Sequence, residues 1–150
     1  MLKGIDHRLN ADVLQVLRAM GHGDTLVLTD LNFPAEQVAR ATLRGQVLRM
    51  ENLTLAGAAQ AVLSVLPLDT FVADFAMRME MVDAPDTIPP VQAELQAEID
   101  HAEGRPRPML GLRRFEFYDR AREAYAVIQT GERRFYGNVI LRKGVIGPKD

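Results

Sequence analysis

The sequence contains no cysteine, no excess of positive charge and no long apolar run. Without cysteine, disulfide bonds and thiolate catalysis are excluded, and a reducing cytoplasm is the location we expect. A formal net charge of −2 argues against a nucleic-acid partner, because such proteins present a dominant basic surface. No segment approaches the roughly 20 apolar residues of a membrane-spanning helix. Met1-Leu2-Lys3-Gly4 does not open a signal peptide, so we expect no membrane contact.

The chain does have the length and apolar content of one globular domain. Its 150 residues are 47% hydrophobic, an ordinary value for a protein with a packed core. The sequence shows no internal repeat, no low-complexity tract and no linker-like stretch. We therefore predict a single domain over residues 1–150.

Helical and strand patterns alternate along the chain. Helices are marked by apolar residues at helical spacing and by capping residues, whereas the strands are short apolar runs. Helices are expected from Asn10 to Gly21, from Asn32-Phe33-Pro34 onward, from Thr54 through Val65, from Pro89-Pro90 through about Glu103, and over Phe115–Ala124. Strands are expected at Thr25–Thr29, Gln46–Met50, the second half of Phe71–Val82, Tyr125–Gln129 and Val139–Leu141.

This alternation predicts an α/β layered domain with a mostly parallel sheet. Thr25–Thr29 is apolar on both faces, as the strands of a sheet covered on both sides are. Tyr125–Gln129 and Val139–Leu141 are close in sequence, which favours an antiparallel part and hence a mixed sheet. In such folds, the strand ends and loops commonly build the functional site.

The predicted strand within Phe71–Val82 has an alternating stripe. The alternation predicts one apolar face, made of Phe75, Met77, Met79 and Met81, and one polar face, made of Arg78 and Glu80. We interpret the methionine stripe as a core or subunit-contact surface.

A histidine stands between two glycines in Gly21-His22-Gly23-Asp24, directly before a buried strand that ends at Asp30. Histidine is the side chain that ordinarily titrates near neutral pH, so this corner is a candidate for acid/base chemistry. The competing interpretation is that His22 is a capping or packing residue. Asp24 is interpreted as a turn former, and Asp30 as a functional carboxylate.

A series of motifs in the same order resembles the RbsD/FucU family of D-ribose pyranases and L-fucose mutarotases. The resemblance covers nearly the whole chain. Two details are similar to the fucose branch of the family: the Gly-Asp pair that follows the histidine, and the glycine within Tyr136-Gly137-Asn138. The motifs are Met20-Gly21-His22-Gly23-Asp24, Asp30-Leu31-Asn32-Phe33-Pro34, Leu66-Pro67-Leu68-Asp69-Thr70, Arg114-Phe115-Glu116-Phe117-Tyr118, Thr130-Gly131-Glu132, Tyr136-Gly137-Asn138 and Leu141-Arg142-Lys143-Gly144-Val145.

The resemblance implies a three-layer RbsD-like fold with helices on both faces of the sheet. It also implies L-fucose mutarotase activity, the interconversion of the α and β anomers, with D-ribose pyranase activity as the alternative. A non-catalytic monosaccharide-binding or regulatory protein is the alternative from another class. Family members form ring-like homo-oligomers, often decamers, with sites near subunit boundaries, so the same is expected here.

Mutarotation needs an acid at the ring oxygen and a base at the anomeric hydroxyl, and it requires no cofactor. The resemblance assigns the proton-donor role to His22 and makes Asp69 the candidate for the complementary base, although Asp69 could instead be a helix cap. The sugar-binding residues that it implies are Asp30, Met79, Arg114, Tyr118, Tyr136 and Asn138. Carboxylates accept hydrogen bonds from sugar hydroxyls, Arg and Asn donate them, and tyrosine rings cover an apolar sugar face. For Met79 and Tyr118, a role in the core stays open.

A metal site is not expected. The three histidines are far apart, cysteine is absent, and no His-x-x-x-His pair occurs. The glycines around His22 form neither a P-loop nor a dinucleotide fingerprint.

Overall fold

The computed structural model describes residues 1–148 and has a six-stranded sheet between two layers of helices. The helices are α1 (Ala11–Ala19), α2 (Ala35–Ala39), α3 (Leu55–Leu63), α4 (Pro90–Glu103) and α5 (Arg114–Arg122). The strands are β1 (Thr25–Thr29), β2 (Val47–Met50), β3 (Ala76–Met79), β4 (Leu110–Leu112), β5 (Ala126–Thr130) and β6 (Val139–Arg142). The predicted α/β class and the three-layer arrangement are confirmed.

The strand order is β2-β5-β1-β6-β3-β4. β1 is parallel to β5, β2 is parallel to β5, and β3 is parallel to β4. β6 runs antiparallel between β1 and β3. The predicted mixed sheet is therefore confirmed, and the antiparallel strand pairs with β1 and β3 rather than with β5.

Each face of the sheet has its own apolar core. Buried side chains of α1, α3 and α4 pack on one face, and those of α2 and α5 pack on the other. Alternate residues of β1 serve the two cores: Leu26 and Leu28 point to the first, and Val27 points to the second. This arrangement explains why Thr25–Thr29 is apolar on both faces.

Capping residues set the helix ends near the predicted positions. The Asn10 side chain accepts a hydrogen bond from the backbone N–H of Val13 at 2.9 Å, and Thr54 accepts one from Gly57 at 3.2 Å. α4 begins at Pro90 and ends at Glu103, and its C-cap residue Gly104 adopts a left-handed φ of 67°. These caps satisfy backbone groups that a helix end otherwise leaves without partners.

Two features of β3 and β4 differ from the sequence expectation. β4 was not predicted, because it has three residues and follows a proline-containing loop. Arg78 lies on the face of β3 opposite to Met77 and Met79, as predicted, but that face is covered and Arg78 is buried beside Gln92 of α4. The predicted grouping of Phe75 with the methionines is wrong, because Phe75 precedes the strand and packs in the first core, whereas Met77 and Met79 pack in the second. Neighbouring elements cover both faces of β3, so alternation did not indicate an exposed side.

Within residues 1–148, no helix has both the length and the apolar character that crossing a membrane requires.

The loop after β5 is fixed by the buried carboxylate of Glu132. Its Oε1 accepts hydrogen bonds from the backbone N–H groups of Arg133 and Arg134, both at 3.0 Å. The Arg134 guanidinium adds two more, to Oε1 and Oε2, each at 2.9 Å. Mainly through the Arg134 guanidinium, the pKa of Glu132 is lowered from 4.5 to about 2. The charged form of Glu132 therefore stabilises the loop that leads to Tyr136 and Asn138.

Replacing Glu132 by Gln is expected to reduce the free energy of unfolding at pH 7 by on the order of 2 kcal/mol. Because the folded-state pKa is lowered, this stabilisation is present above about pH 4.5 and is lost as the pH falls towards about 2. Urea unfolding at several pH values should show that the difference in the free energy of unfolding between the unmodified protein and Glu132→Gln becomes smaller over that range. Glu94→Gln is the matched control, because it removes the exposed partner of Arg134. A pH-independent difference would contradict this assignment.

Candidate active site

The structure places the predicted site residues in two groups at opposite ends of β1. His22 lies in the loop that enters β1, and Asp30 follows its last residue. His22 is paired with Asp69, whereas the other predicted residues gather around Asp30.

The first group is an imidazole–carboxylate pair. The Nε2 atom of His22 lies 3.0 Å from Oδ2 of Asp69, within hydrogen-bond distance. The His22 side chain is 54% exposed, whereas that of Asp69 is only 6% exposed. The carboxylate can thus hold and orient an imidazole whose remaining surface is open to a ligand.

The end of β6 positions both members of this pair. The backbone carbonyl of Lys143 accepts a hydrogen bond from the N–H of Gly23 at 2.8 Å. The backbone N–H of Lys143 donates to the carbonyl of Asp24, also at 2.8 Å. The backbone N–H of Asp69 donates to the backbone carbonyl of Arg142 at 3.0 Å. The Lys143 ammonium group donates to the carbonyls of Leu17 and Met20 at the end of α1.

The glycines and Asp24 shape the corner that carries His22. Gly23 has a left-handed φ of 85°, a conformation that glycine adopts readily. Asp24 Oδ2 accepts a hydrogen bond from the N–H of Gly21 at 2.7 Å. The interpretation of Asp24 as a turn former is thereby confirmed.

One oxygen of Asp69 has no protein partner. Oδ1 is buried and makes no hydrogen bond to any residue in the described range, 1–148. Buried carboxylate oxygens are normally satisfied, so Oδ1 of Asp69 is an exception: a buried acceptor without a protein partner in that range.

The second group surrounds a cavity of about 240 Å³. The structure brings together all six residues predicted to bind sugar: Asp30, Met79, Arg114, Tyr118, Tyr136 and Asn138. Asn32, Phe33 and Phe135 complete the lining and were not predicted as site residues. Asn32 and Phe33 stand in the turn directly after Asp30, and Phe135 precedes Tyr136, so adjacency in sequence was the available signal.

Asp30 organises the backbone around this cavity. It is 2% exposed, and Oδ1 accepts hydrogen bonds from the N–H groups of Asn32 at 2.8 Å and Phe33 at 3.0 Å. Oδ2 accepts from the N–H of Gly137 at 3.1 Å and from Nδ2 of Asn138 at 3.0 Å. Burial raises the pKa of Asp30 above its ordinary value, while these four hydrogen bonds act in the opposite direction. A carboxylate offers about four acceptor positions, which these donors match.

Aromatic groups form another part of the cavity wall. The rings of Phe33 and Tyr118 are 5.4 Å apart between centroids, and the Arg114 guanidinium lies 5.7 Å from the Tyr118 ring centroid. This wall offers apolar surface and a cationic donor, whereas the Asp30 side offers polar groups. Such a division suits a sugar, which has apolar C–H faces and hydroxyl edges.

A single copy of the chain does not bring the two groups together. β1 has five residues, and at a rise of about 3.3 Å per residue its first and last residues are roughly 13 Å apart. The His22–Asp69 pair therefore lies outside the cavity that holds the six other residues. A larger cavity of about 640 Å³ opens beside Gly23 and Asp24, at the same end of the sheet as the pair.

Metal-ligating side chains are not clustered in the part of the chain that the structure describes. Across residues 1–148, no three His, Asp or Glu side chains are grouped so that they could hold an ion.

Comparison with known proteins relates this geometry to one family. The sequence profile of the RbsD / FucU transport protein family matches residues 3–146. Fucose mutarotase of Bos taurus is 41% identical over 153 residues, which are 100% of this chain and 97% of that protein. Fucose mutarotase of Homo sapiens is 42% identical over 148 residues, covering 97% and 94%.

Solved structures agree with the sequence comparison. The crystal structure of the fucose mutarotase of Streptococcus pneumoniae in complex with L-fucose has a TM-score of 0.86 and 33% identity, covering 97% of this chain and 100% of that one. Bacillus subtilis RbsD complexed with D-ribose has a TM-score of 0.71 at 20% identity, so it shows a shared fold alone. With a profile match over residues 3–146 and a 41% identical relative matched over 97% of its length, the chain belongs to the RbsD / FucU family.

Proposed function

We propose that the protein is an L-fucose mutarotase, an isomerase that interconverts the α and β anomers of L-fucose. The observation that carries this function is the similarity, over the whole chain, to proteins named fucose mutarotase. D-ribose pyranase activity is less well supported, because the RbsD structure shares only 20% identity.

The proposed reaction opens and closes the sugar ring. His22 donates a proton to the ring oxygen while a base removes the proton of the anomeric hydroxyl, and the C1–O5 bond breaks to give the aldehyde. After rotation about C1–C2, the hydroxyl at C5 attacks the opposite face of the carbonyl, and the protons return. Acid/base assistance of this kind typically contributes about 10²–10⁴-fold.

Asp69 is the proposed complementary base and also orients His22. Its Oδ2 holds the imidazole at 3.0 Å, and its Oδ1 has no protein partner within residues 1–148. After ring opening the imidazole is neutral and the carboxyl group carries the proton, so the same two groups can act in reverse roles when the ring closes.

The cavity around Asp30 is the proposed sugar-binding site. Its volume of about 240 Å³ lies just below the usual range for drug-sized ligands, as expected for one monosaccharide. Asn138 and Arg114 are the proposed hydroxyl-binding donors. Tyr118, Tyr136 and Met79 are proposed to cover the apolar side of the sugar.

A homo-oligomer is proposed to complete the active site. Since one copy separates the pair from the cavity, a head-to-tail contact between copies would bring the pair of one subunit to the cavity of the next. Exposed apolar side chains at both places support such a contact: Phe115 (78% exposed) and Phe135 (72%) near the cavity, and Phe71 (82%) close after Asp69 in sequence. Repeated head-to-tail contacts form a ring when the rotation closes, and a decamer of such subunits stays a prediction.

The cytoplasmic location and the domain boundary also stay predictions. The absence of cysteine supports a reducing compartment. The proposed domain spans residues 1–150, of which Lys149 and Asp150 lie outside the described residues.

Anomer exchange across a panel of sugars tests the function. We expect the protein to accelerate exchange between the anomers of L-fucose more than that of D-ribose, D-galactose or L-rhamnose, measured by exchange NMR. A protein that binds L-fucose but leaves its exchange at the buffer rate would be a monosaccharide-binding protein instead. Acceleration of D-ribose alone would favour the pyranase alternative.

Replacing His22 by Asn should lower the acceleration by about 100-fold or more, because the proton donor is lost. The exposed His101 on α4 provides the control: His101→Asn should retain full activity in the same exchange assay. Circular dichroism should show both variants folded. Equal activity of His22→Asn and the unmodified protein would remove His22 from the mechanism.

Mixing two inactive variants tests whether the site is shared between subunits. His22→Asn damages the pair and Arg114→Ala damages the cavity, so each variant alone should be nearly inactive. Oligomers refolded from an equal mixture should regain about a quarter of full activity, since one contact in four then joins two intact halves. No recovery in oligomers shown by native mass spectrometry to be mixed would mean that each copy holds a complete site.

A further inference from the structure

We propose that Gln92, oriented by Arg78, is a positioning residue that fixes two walls of the sugar cavity, an inference that rests on the proposed function. Neither residue lines the cavity or belongs to the motifs that indicated the family. Gln92 lies in the first turns of α4 and is completely buried, with 0% exposure. A buried polar side chain must find hydrogen-bond partners, and these partners reveal its role.

The amide nitrogen of Gln92 joins two segments of the cavity wall. Nε2 donates one hydrogen bond to the carbonyl of Met79 at 2.7 Å and a second to the carbonyl of Tyr136 at 2.9 Å. Met79 ends β3, and Tyr136 lies in the loop before β6, so these segments are distant in sequence. Both residues line the cavity. Gln92 thus holds two parts of the binding surface from behind.

Arg78 determines the orientation of this amide. Its Nη1 donates to Oε1 of Gln92 at 3.4 Å, and its Nη2 donates to the carbonyl of Pro85 at 3.0 Å. With a guanidinium at Oε1, both N–H donors of the amide face the two carbonyls. A flipped amide would place its oxygen against two carbonyl oxygens and its donors against a cation.

The backbone of Tyr136 shows why such an anchor is needed. Tyr136 has a φ of 63°, and it is the one non-glycine residue in the described chain with positive φ. This left-handed conformation is unfavourable for a residue with a side chain, and it persists only where the surroundings hold it. Immediately after it, Gly137 donates its N–H to Asp30. The anchor at the Tyr136 carbonyl therefore supports the contact that organises the polar wall.

Hydrogen bonds also connect the Tyr136 loop and Arg78 to the segment after β3. The N–H of Val82 donates to the Tyr136 hydroxyl at 3.3 Å, and Arg78 holds Pro85 a few residues later. Gln92 and Arg78 together connect β3, the segment 82–85 and the Tyr136 loop. If the amide is removed, the Tyr136 loop loses the bond opposing its relaxation from positive φ, and the cavity loses its fixed shape.

Gln92→Met tests the proposal, because methionine keeps the length of the side chain and lacks both donors. We expect the KM for L-fucose to rise about tenfold and kcat to stay within about twofold, since the loss falls on ground-state binding. The His22–Asp69 pair, at the other end of β1, should keep the pH profile of kcat unchanged. Amide hydrogen exchange should become faster in residues 133–138.

Gln96→Met is the matched control on the same helix. Gln96 also donates through Nε2, to Asp100 at 2.9 Å and to the carbonyl of Arg107 at 2.6 Å, away from the cavity. This variant should leave the KM for L-fucose and the exchange of residues 133–138 unchanged. If Gln92 contributed only to general stability, the KM for L-fucose and the exchange of residues 133–138 would change alike in both variants.

The proposal is overturned if folded Gln92→Met keeps the KM and the exchange rates of the unmodified protein, or if Gln96→Met matches its effects. Should Gln92→Met not fold, Arg78→Lys carries the test, because lysine keeps the charge but presents one nitrogen in place of the two guanidinium nitrogens that reach Gln92 and Pro85. An unchanged KM and unchanged exchange in Arg78→Lys then overturn the proposal. Failure of the proposed function would appear differently, as an unmodified protein that does not accelerate L-fucose exchange, and the hydrogen-exchange comparison would still test the anchor.

Discussion

The antiparallel pairing of β1 with β6 is the interaction on which both halves of the candidate site depend. Its register places Thr25 opposite Arg142 and Leu28 opposite Val139. The start of β6 therefore meets the end of β1, where Asn138 and Gly137 reach Asp30. The end of β6 meets the start of β1, where Lys143 holds Gly23 and Asp24 beside His22. The same pairing that builds both groups keeps them a strand length apart.

Two buried carboxylates fix the loop between β5 and β6, and they do so under opposite electrostatic conditions. Asp30 is surrounded by uncharged donors, so burial dominates and raises its pKa. Glu132 faces the Arg134 guanidinium, which lowers its pKa to about 2. Glu132 is thus a charged anchor for one end of the loop, while Asp30 gathers neutral N–H groups at the other end. Between them lies Tyr136, whose positive φ requires support from both sides.

The sequence predicted most elements because their signals are local. Asn10 and Thr54 cap helices, Gly104 ends one, and Thr25–Thr29 is an apolar run of strand length. β4 escaped prediction because three residues carry little periodicity and the strand exists only through pairing with β3. The alternation in β3 was incomplete for a related reason. It indicated that Arg78 lies on the face away from Met77 and Met79, but not that α4 supplies Gln92 there as a buried partner, because no local pattern shows which distant group satisfies a charge.

The sequence by itself determined the fold class, the element boundaries within a few residues and the types of side chain available for acid/base chemistry and sugar binding. These depend on periodicity, capping and residue chemistry, which act over a few neighbouring positions. Only the tertiary structure decided that His22 pairs with Asp69, that six other residues share a cavity, and that the two groups stand apart. It also revealed Gln92 behind that cavity. The reason is physical. Strand order, direction and register bring together residues that are distant in sequence, and the burial of whole sheet faces determines which order and register form.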